Sequence, residues 1–261
     1  MNIVTSYFMV RRVPGSVFLG EASLRHRDAR QDEYLDCIRR NAAHAEVASL
    51  HLLVEGPDAY AHFRTRVMDD VHFLPSAALR RKIIPVLRPA AQPTYADLFR
   101  HANQILRGQL TMICNADVYL PQDGANVREL QQLFEFEEAG TRRVAVALTR
   151  HESEDPRDAP LIHDYRGSHD AFIIRPPAEA TLVESVRHPQ NCYKAENIVL
   201  HELRRHGYTV VNPCHSFMLV HRHAADLRQW LPPVDEERYA RAPPCTLAEA
   251  LNVLKLGECC P

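Results

Sequence analysis

Short, almost wholly apolar runs recur along this 261-residue chain, and segments of helical periodicity separate most of them. A strand that is apolar on both faces has to be covered on both faces, so this rhythm commits the chain to a mainly parallel sheet between helices. The runs are residues 2–9, 47–54, 82–87, 110–114, 144–148 and 171–174. The residues 27–42 form a helical pattern with Tyr34, Leu35 and Ile38 on one face. The plainest helix begins at Thr94: Pro93 precedes it, and Asp97 stands where a capping-box acid belongs. Tyr95, Leu98, Phe99, Ala102 and Leu106 then form one buried stripe, closed by Gly108. The fold class that follows is α/β, a Rossmann-type sandwich over residues 1–230. Residues 231–244, with four prolines, read as a linker or wrapping tail, and a short helix over 247–256 completes the tail 231–261.

Composition removes several classes. With 31 Lys and Arg against 33 Asp and Glu, the net charge of −2 does not suit a nucleic-acid-binding domain. No apolar run reaches the ~18 residues of a membrane span, and the first residues, Met1 to Thr5, lack signal-peptide features. The expected setting is the cytoplasm, with the seven cysteines mostly buried thiols. Cys259-Cys260-Pro261 has no explanation in the sequence.

Four segments carry candidate chemistry. In open parallel sheets ligands sit beyond the carboxyl ends of strands. Asn115-Ala116-Asp117 lies there, after the run 110–114. Its carboxylate suits a divalent cation or, equally, a turn cap. Glu196 and Asn197 open a helix that runs to His206 and stops at Gly207. A carboxylate in that electropositive first turn stays ionised, as a general base requires, although it also serves the helix dipole alone. His221 and His223 fall on one side of an extended strand, spaced to share a metal or meet a diphosphate, or simply to be solvated. Gly167-Ser168-His169-Asp170 places an acid at the entrance to the run 171–174, where a strand-initiating turn is the plain alternative.

Taken in order, these segments resemble glycosyltransferases of the GT-A fold, together with Thr5-Ser6-Tyr7, the helix bearing Arg30, Glu33 and Asn41, the segment Thr94 to Asn103, and Gly207 to Pro213. The resemblance spans residues 1–230. It implies a sugar moved from a nucleotide-diphospho-sugar (a UDP- or GDP-sugar) to the hydroxyl of a glycan, lipid or small-molecule acceptor, with Mn²⁺ or Mg²⁺ as cofactor. Asp117 would be the metal ligand, with His221 or His223 as a further metal or phosphate contact. Asn115, standing where the family's motif more often has an acid, would touch the donor ribose or metal-bound water, beside Ala116. Glu196 would be the base of an inverting reaction, and Asp170 would border the donor sugar or acceptor. Thr5, Ser6 and Tyr7 would cradle the nucleoside, with Tyr95 and Asn103 also on the donor side. Arg11, Arg12 and Lys82 are further candidate phosphate contacts or plain surface charges. Two other readings stand: a metal-dependent hydrolase or nucleotidyltransferase using Asp117, Asp170, His221 and His223, and a non-catalytic nucleotide-sugar-binding domain.

Overall fold

The computed structural model describes residues 1–10, 17–19, 24–89, 91–140, 142–154, 168–225 and 228–256. Its first half contains β1 (Asn2–Tyr7), β2 (Val17–Leu19), α1 (Leu24–Ala43), β3 (Ser49–Glu55), α2 (Gly56–Phe63), α3 (Ala77–Lys82), β4 (Ile83–Arg88), α4 (Tyr95–Ile105), β5 (Thr111–Cys114) and β6 (Val118–Tyr119). There follow α5 (Val127–Gln131), α6 (Glu135–Glu138), β7 (Arg143–Leu148), β8 (Ala171–Ile174), α7 (Ala180–Ser185), α8 (Ala195–Arg205), β9 (Tyr208–Val211), β10 (Val220–His221), β11 (Arg228–Trp230) and α9 (Leu247–Leu256).

Seven strands form one sheet in the order β4-β3-β1-β5-β8-β7-β9. Successive residues divide between its two faces: Ile3, Leu52, Met112, Val144 and Ile173 join one buried cluster. Val4, Leu53, Ile113, Ala145 and Phe172 join the cluster beneath α4, α7 and α8. The period-2 geometry of a strand covered on both faces thus accounts for the unbroken apolar runs. The chain is α/β and Rossmann-like, as its sequence rhythm implies.

Two features of the sheet position the site. The chain runs outward from β1 through β3 to β4, then crosses back to β5 on the other side of β1. The order therefore reverses between β1 and β5, where such sheets open a crevice at their carboxyl edge. Of the seven strands, β8 alone is antiparallel to its neighbours β5 and β7. Its beginning consequently lies at the edge where β5 ends, with Cys114 opposite Ala171.

The helix at Thr94 forms as its sequence dictates, with the Thr94–Asp97 capping box complete. The strand stop at Glu55-Gly56-Pro57 is also a helix start, since α2 begins at Gly56, where φ is +69°. Sequence periodicity passes over α2, α3, α5, α6 and α7, which are short. The segment after Trp230 packs on the core: Tyr193 N donates to Leu231 O (2.9 Å) and Asn197 Nδ2 to Ala240 O (2.9 Å). No helix among the described residues is long and apolar enough to cross a membrane. Arg11, Arg12, Gly167, Cys259 and Cys260 lie outside the described residues, and the five described cysteines are buried free thiols.

Candidate active site

At the carboxyl edge, a continuous chain of polar contacts runs from α8 to α1. Asn115 is its hub. It follows β5 directly, and its Nδ2 donates to Glu196 Oε1 at 3.0 Å and to Asp170 Oδ1 at 3.1 Å. Its own Oδ1 accepts from the Tyr95 hydroxyl (3.0 Å) and from Gln190 Nε2 (3.3 Å). Strand direction explains the meeting: α4 and α8 each run against the parallel strands, so their first residues lie at this edge, as does the start of β8. Backbone bonding seals it, Asn115 N donating to Asp170 O at 3.0 Å.

Glu196 is half-buried and departs from its sequence-based expectation. Burial, with the Asp170 carboxylate next in weight, pushes its carboxyl up to about 7, although Asn115 and Arg150 act the other way. The helix N-terminus therefore does not keep it an ordinary acid. Asp170 is buried and held by Arg150 Nη1 (3.0 Å) and Ser168 Oγ (2.7 Å). Arg150 also donates from Nε to Glu152 (3.0 Å), and the other carboxylate oxygen of Glu152 lies 3.0 Å from His221 Nδ1.

His221, on β10, pairs across to Val118 on β6 and so reaches Asp117, with Nε2 3.2 Å from Oδ2. Burial opposes the charge on this imidazole, but Asp117 and Glu152 outweigh burial and raise it to about 9. Burial likewise opposes the Asp117 charge, yet Arg30 and His221 hold that carboxyl well below the usual range. The His221 bond dominates at Glu152, lowering it to about 2. Arg30 of α1 donates to the same Asp117 oxygen and to Glu33.

His221 and His223 do face the same side, their rings 5.3 Å apart. Each of Asp117, His221 and His223 offers one ligand atom, all within 4.8 Å of one another. One carboxylate and two imidazoles are a donor set for a divalent ion, and imidazole suits a transition ion such as Mn²⁺ better than Mg²⁺. Asp170 belongs instead to the Arg150 and Asn115 cluster. Ligation requires neutral imidazole, so an entering ion has to displace the proton of His221.

Several residues named from sequence are spent elsewhere. Thr5, Ser6 and Tyr7 are buried, their hydroxyls bonded to Cys114 O (2.8 Å), Gln190 Oε1 (2.7 Å) and His62 Nδ1 (2.7 Å). These three hydroxyls are taken up by the protein itself, and Ser6 joins the Asn115 hub through Gln190. Asn103 lies late in α4, away from the edge, and bridges Ala178 by N–H and C=O, each at 2.8 Å. Those two bonds clamp the segment before α7 to α4. Lys82 stands just before β4, at the opposite end of the strands, and donates to His44 O (2.9 Å). Asn197 faces the tail through Ala240. Ala116 sits half-buried between Asn115 and Asp117. Sequence reasoning missed Arg150, Glu152 and Gln190. The first two follow β7 at its carboxyl end, so the rule that found Asp117 was able to find them.

No family model matches the chain, and no curated protein does. Solved structures resemble it loosely. One is a provisionally assigned nucleotide-diphospho-sugar transferase from Desulfovibrio desulfuricans G20, 11% identical over 81% of this chain and 79% of that one, TM-score 0.40. Another is 4-diphosphocytidyl-2C-methyl-D-erythritolsynthase from Anaerococcus prevotii DSM 20548, 10% identical over 81% and 86%, TM-score 0.41. A third is UDP-glucose pyrophosphorylase complexed with UDP-glucose, 10% identical over 98% and 99%, TM-score 0.42. Likeness this loose carries no conclusion about what this chain does.

Proposed function

We propose that the chain is a glycosyltransferase that moves a sugar, with inversion, from a nucleotide-diphospho-sugar to an acceptor hydroxyl. One observation carries the reading: through Asn115, a carboxyl raised to about 7 is joined directly to the strand tip that bears Asp117. A base near the working pH is partly ionised and still able to hold a proton, the compromise that general-base catalysis favours. In the proposed step the acceptor O–H gives its proton to Glu196, the acceptor oxygen bonds to the anomeric carbon, and the bond from that carbon to the diphosphate oxygen breaks. The nucleoside diphosphate leaves with the bonding pair.

The chain's residues divide this work. Tyr95 and Gln190 fix the Asn115 amide, which orients Glu196, while Arg150 holds Asp170 beside it. At the other end Asp117, His221 and His223 would hold Mn²⁺ or, less favourably, Mg²⁺. When bound, such an ion stabilises charge on the leaving diphosphate. The acceptor hydroxyl belongs to a glycan, lipid or small molecule.

The test is incubation of the purified chain with UDP- and GDP-sugars and Mn²⁺, with product analysis. Release of nucleoside diphosphate and free sugar supports the proposal. Release of nucleoside monophosphate supports the metal-dependent hydrolase or nucleotidyltransferase reading, which the carboxylate and two imidazoles also suit. Silence from every donor, with and without metal, overturns both. Donor binding that Glu196→Gln leaves intact, with no turnover in either form, leaves a non-catalytic binding domain.

A further inference from the structure

Arg30 is not a surface charge that happens to reach the site. It is 6% exposed, its guanidinium lies 4.8 Å from the centre of the Tyr34 ring, and Nη1 donates to Glu33 Oε2 (2.7 Å) and Arg222 O (2.8 Å). Nη2 donates to Asp117 Oδ2. Glu33 is fixed in turn, its second oxygen accepting from Ala224 N (2.6 Å) and Ala225 N (2.7 Å) just past His223. A planar, permanently charged fork held on three sides therefore stands on the carboxylate of the group Asp117, His221 and His223.

Two cations at one half-buried carboxylate repel each other, and water screens them less than it would at an open surface. We propose that Arg30 is a resident counterion that competes with a divalent ion for Asp117, so that metal binds tightly only when a diphosphate arrives to draw the guanidinium away. The inference rests on the reading above, in which Asp117, His221 and His223 hold the ion. It adds one residue to that reading: Arg30, which opposes the ion until a diphosphate is present.

Free Mn²⁺ measured by electron paramagnetic resonance, on the full chain and without nucleotide, tests it. Arg30→Met should bind Mn²⁺ about tenfold more tightly, or better, than the unaltered chain. Arg30→Lys, which keeps the charge, should stay weak. Addition of UDP should tighten Mn²⁺ binding strongly in the unaltered chain and much less in Arg30→Met. Should Arg30→Met fold poorly because Glu33 is left buried and charged, Arg30→Met with Glu33→Gln serves, since the amide oxygen still accepts from Ala224 and Ala225. Mn²⁺ binding by the Met variants no tighter than that of the unaltered chain overturns the proposal, as does an absence of Mn²⁺ binding in all of them. Thermal shift with UDP-sugars in EDTA is run alongside. Donor binding retained there, with no Arg30 effect, removes only the competition; donor binding lost under every condition removes the site reading itself.

Discussion

Asp170→Asn tests the electrostatics of the base without altering shape. Glu196 Oε1 and Asp170 Oδ1 both sit on Nδ2 of Asn115, at 3.0 and 3.1 Å, so the two oxygens are at most about 6 Å apart. Like charges at that distance, at an effective dielectric constant of about 20, repel by roughly 3 kcal/mol, or about 2 pKa units. Arg150 already offsets part of the Asp170 charge, so the expected fall in the Glu196 pKa from about 7 is about 1 to 2 units. The asparagine oxygen still accepts from Asn115 and Arg150, so the hub keeps its geometry. The acidic limb of kcat/KM should move to lower pH by that amount, and the carboxyl carbon resonance of Glu196, followed by NMR, should move with it even in the absence of turnover. An acidic limb and a resonance that stay in place, or shift upward, refute the view that Asp170 helps to set this base.

Three further outcomes follow from the same contacts. Glu196→Gln should abolish transfer and spare donor binding. Because the folded pKa of Glu196 is raised from 4.5 to about 7, its favourable contribution is complete below pH 4.5 and is lost as pH rises through 7. The variant should thus gain thermal stability over the unaltered chain at pH 8 and little at pH 4, read by calorimetry. Asp117→Asn should weaken Mn²⁺ binding in the presence of UDP and lower the His221 pKa from about 9, read by imidazole NMR. It should also cost stability, about 1–3 kcal/mol, by leaving Arg30 and His221 short of a counter-charge. Asn103→Ala should cost roughly 1–2 kcal/mol by freeing both backbone groups of Ala178, with KM and kcat unchanged at fixed folded concentration, measured by denaturant titration and kinetics.

What was legible beforehand follows period and position. Apolar runs mark strands because a doubly covered sheet admits little else, and Thr94 with Asp97 marks a helix start because capping is a contact across three residues. Asn115, Asp117 and Glu196 were visible for a similar reason, as strand ends and helix starts gather at one edge of an α/β sheet. The same logic does not say where the side chains of Asn103, Lys82 and Thr5 to Tyr7 go. A polar residue near the site in sequence still has to point somewhere, and the pleat and helix phase sent these inward or to the far edge.

The amino-acid order alone therefore determined the α/β class and the helix opening at Thr94, and set Asn115 and Asp117 after a strand and Glu196 in the first turn of a helix, since all of these depend on neighbours within a few positions. Tertiary structure decided their states. The reversal of β8 brings Asp170 to Asn115, and that junction raises Glu196 to about 7. The packing of α1 sets Arg30 on Asp117, 87 positions away. Partners so distant depend on strand direction and helix placement, which a local pattern does not encode, and charge state follows from the partners.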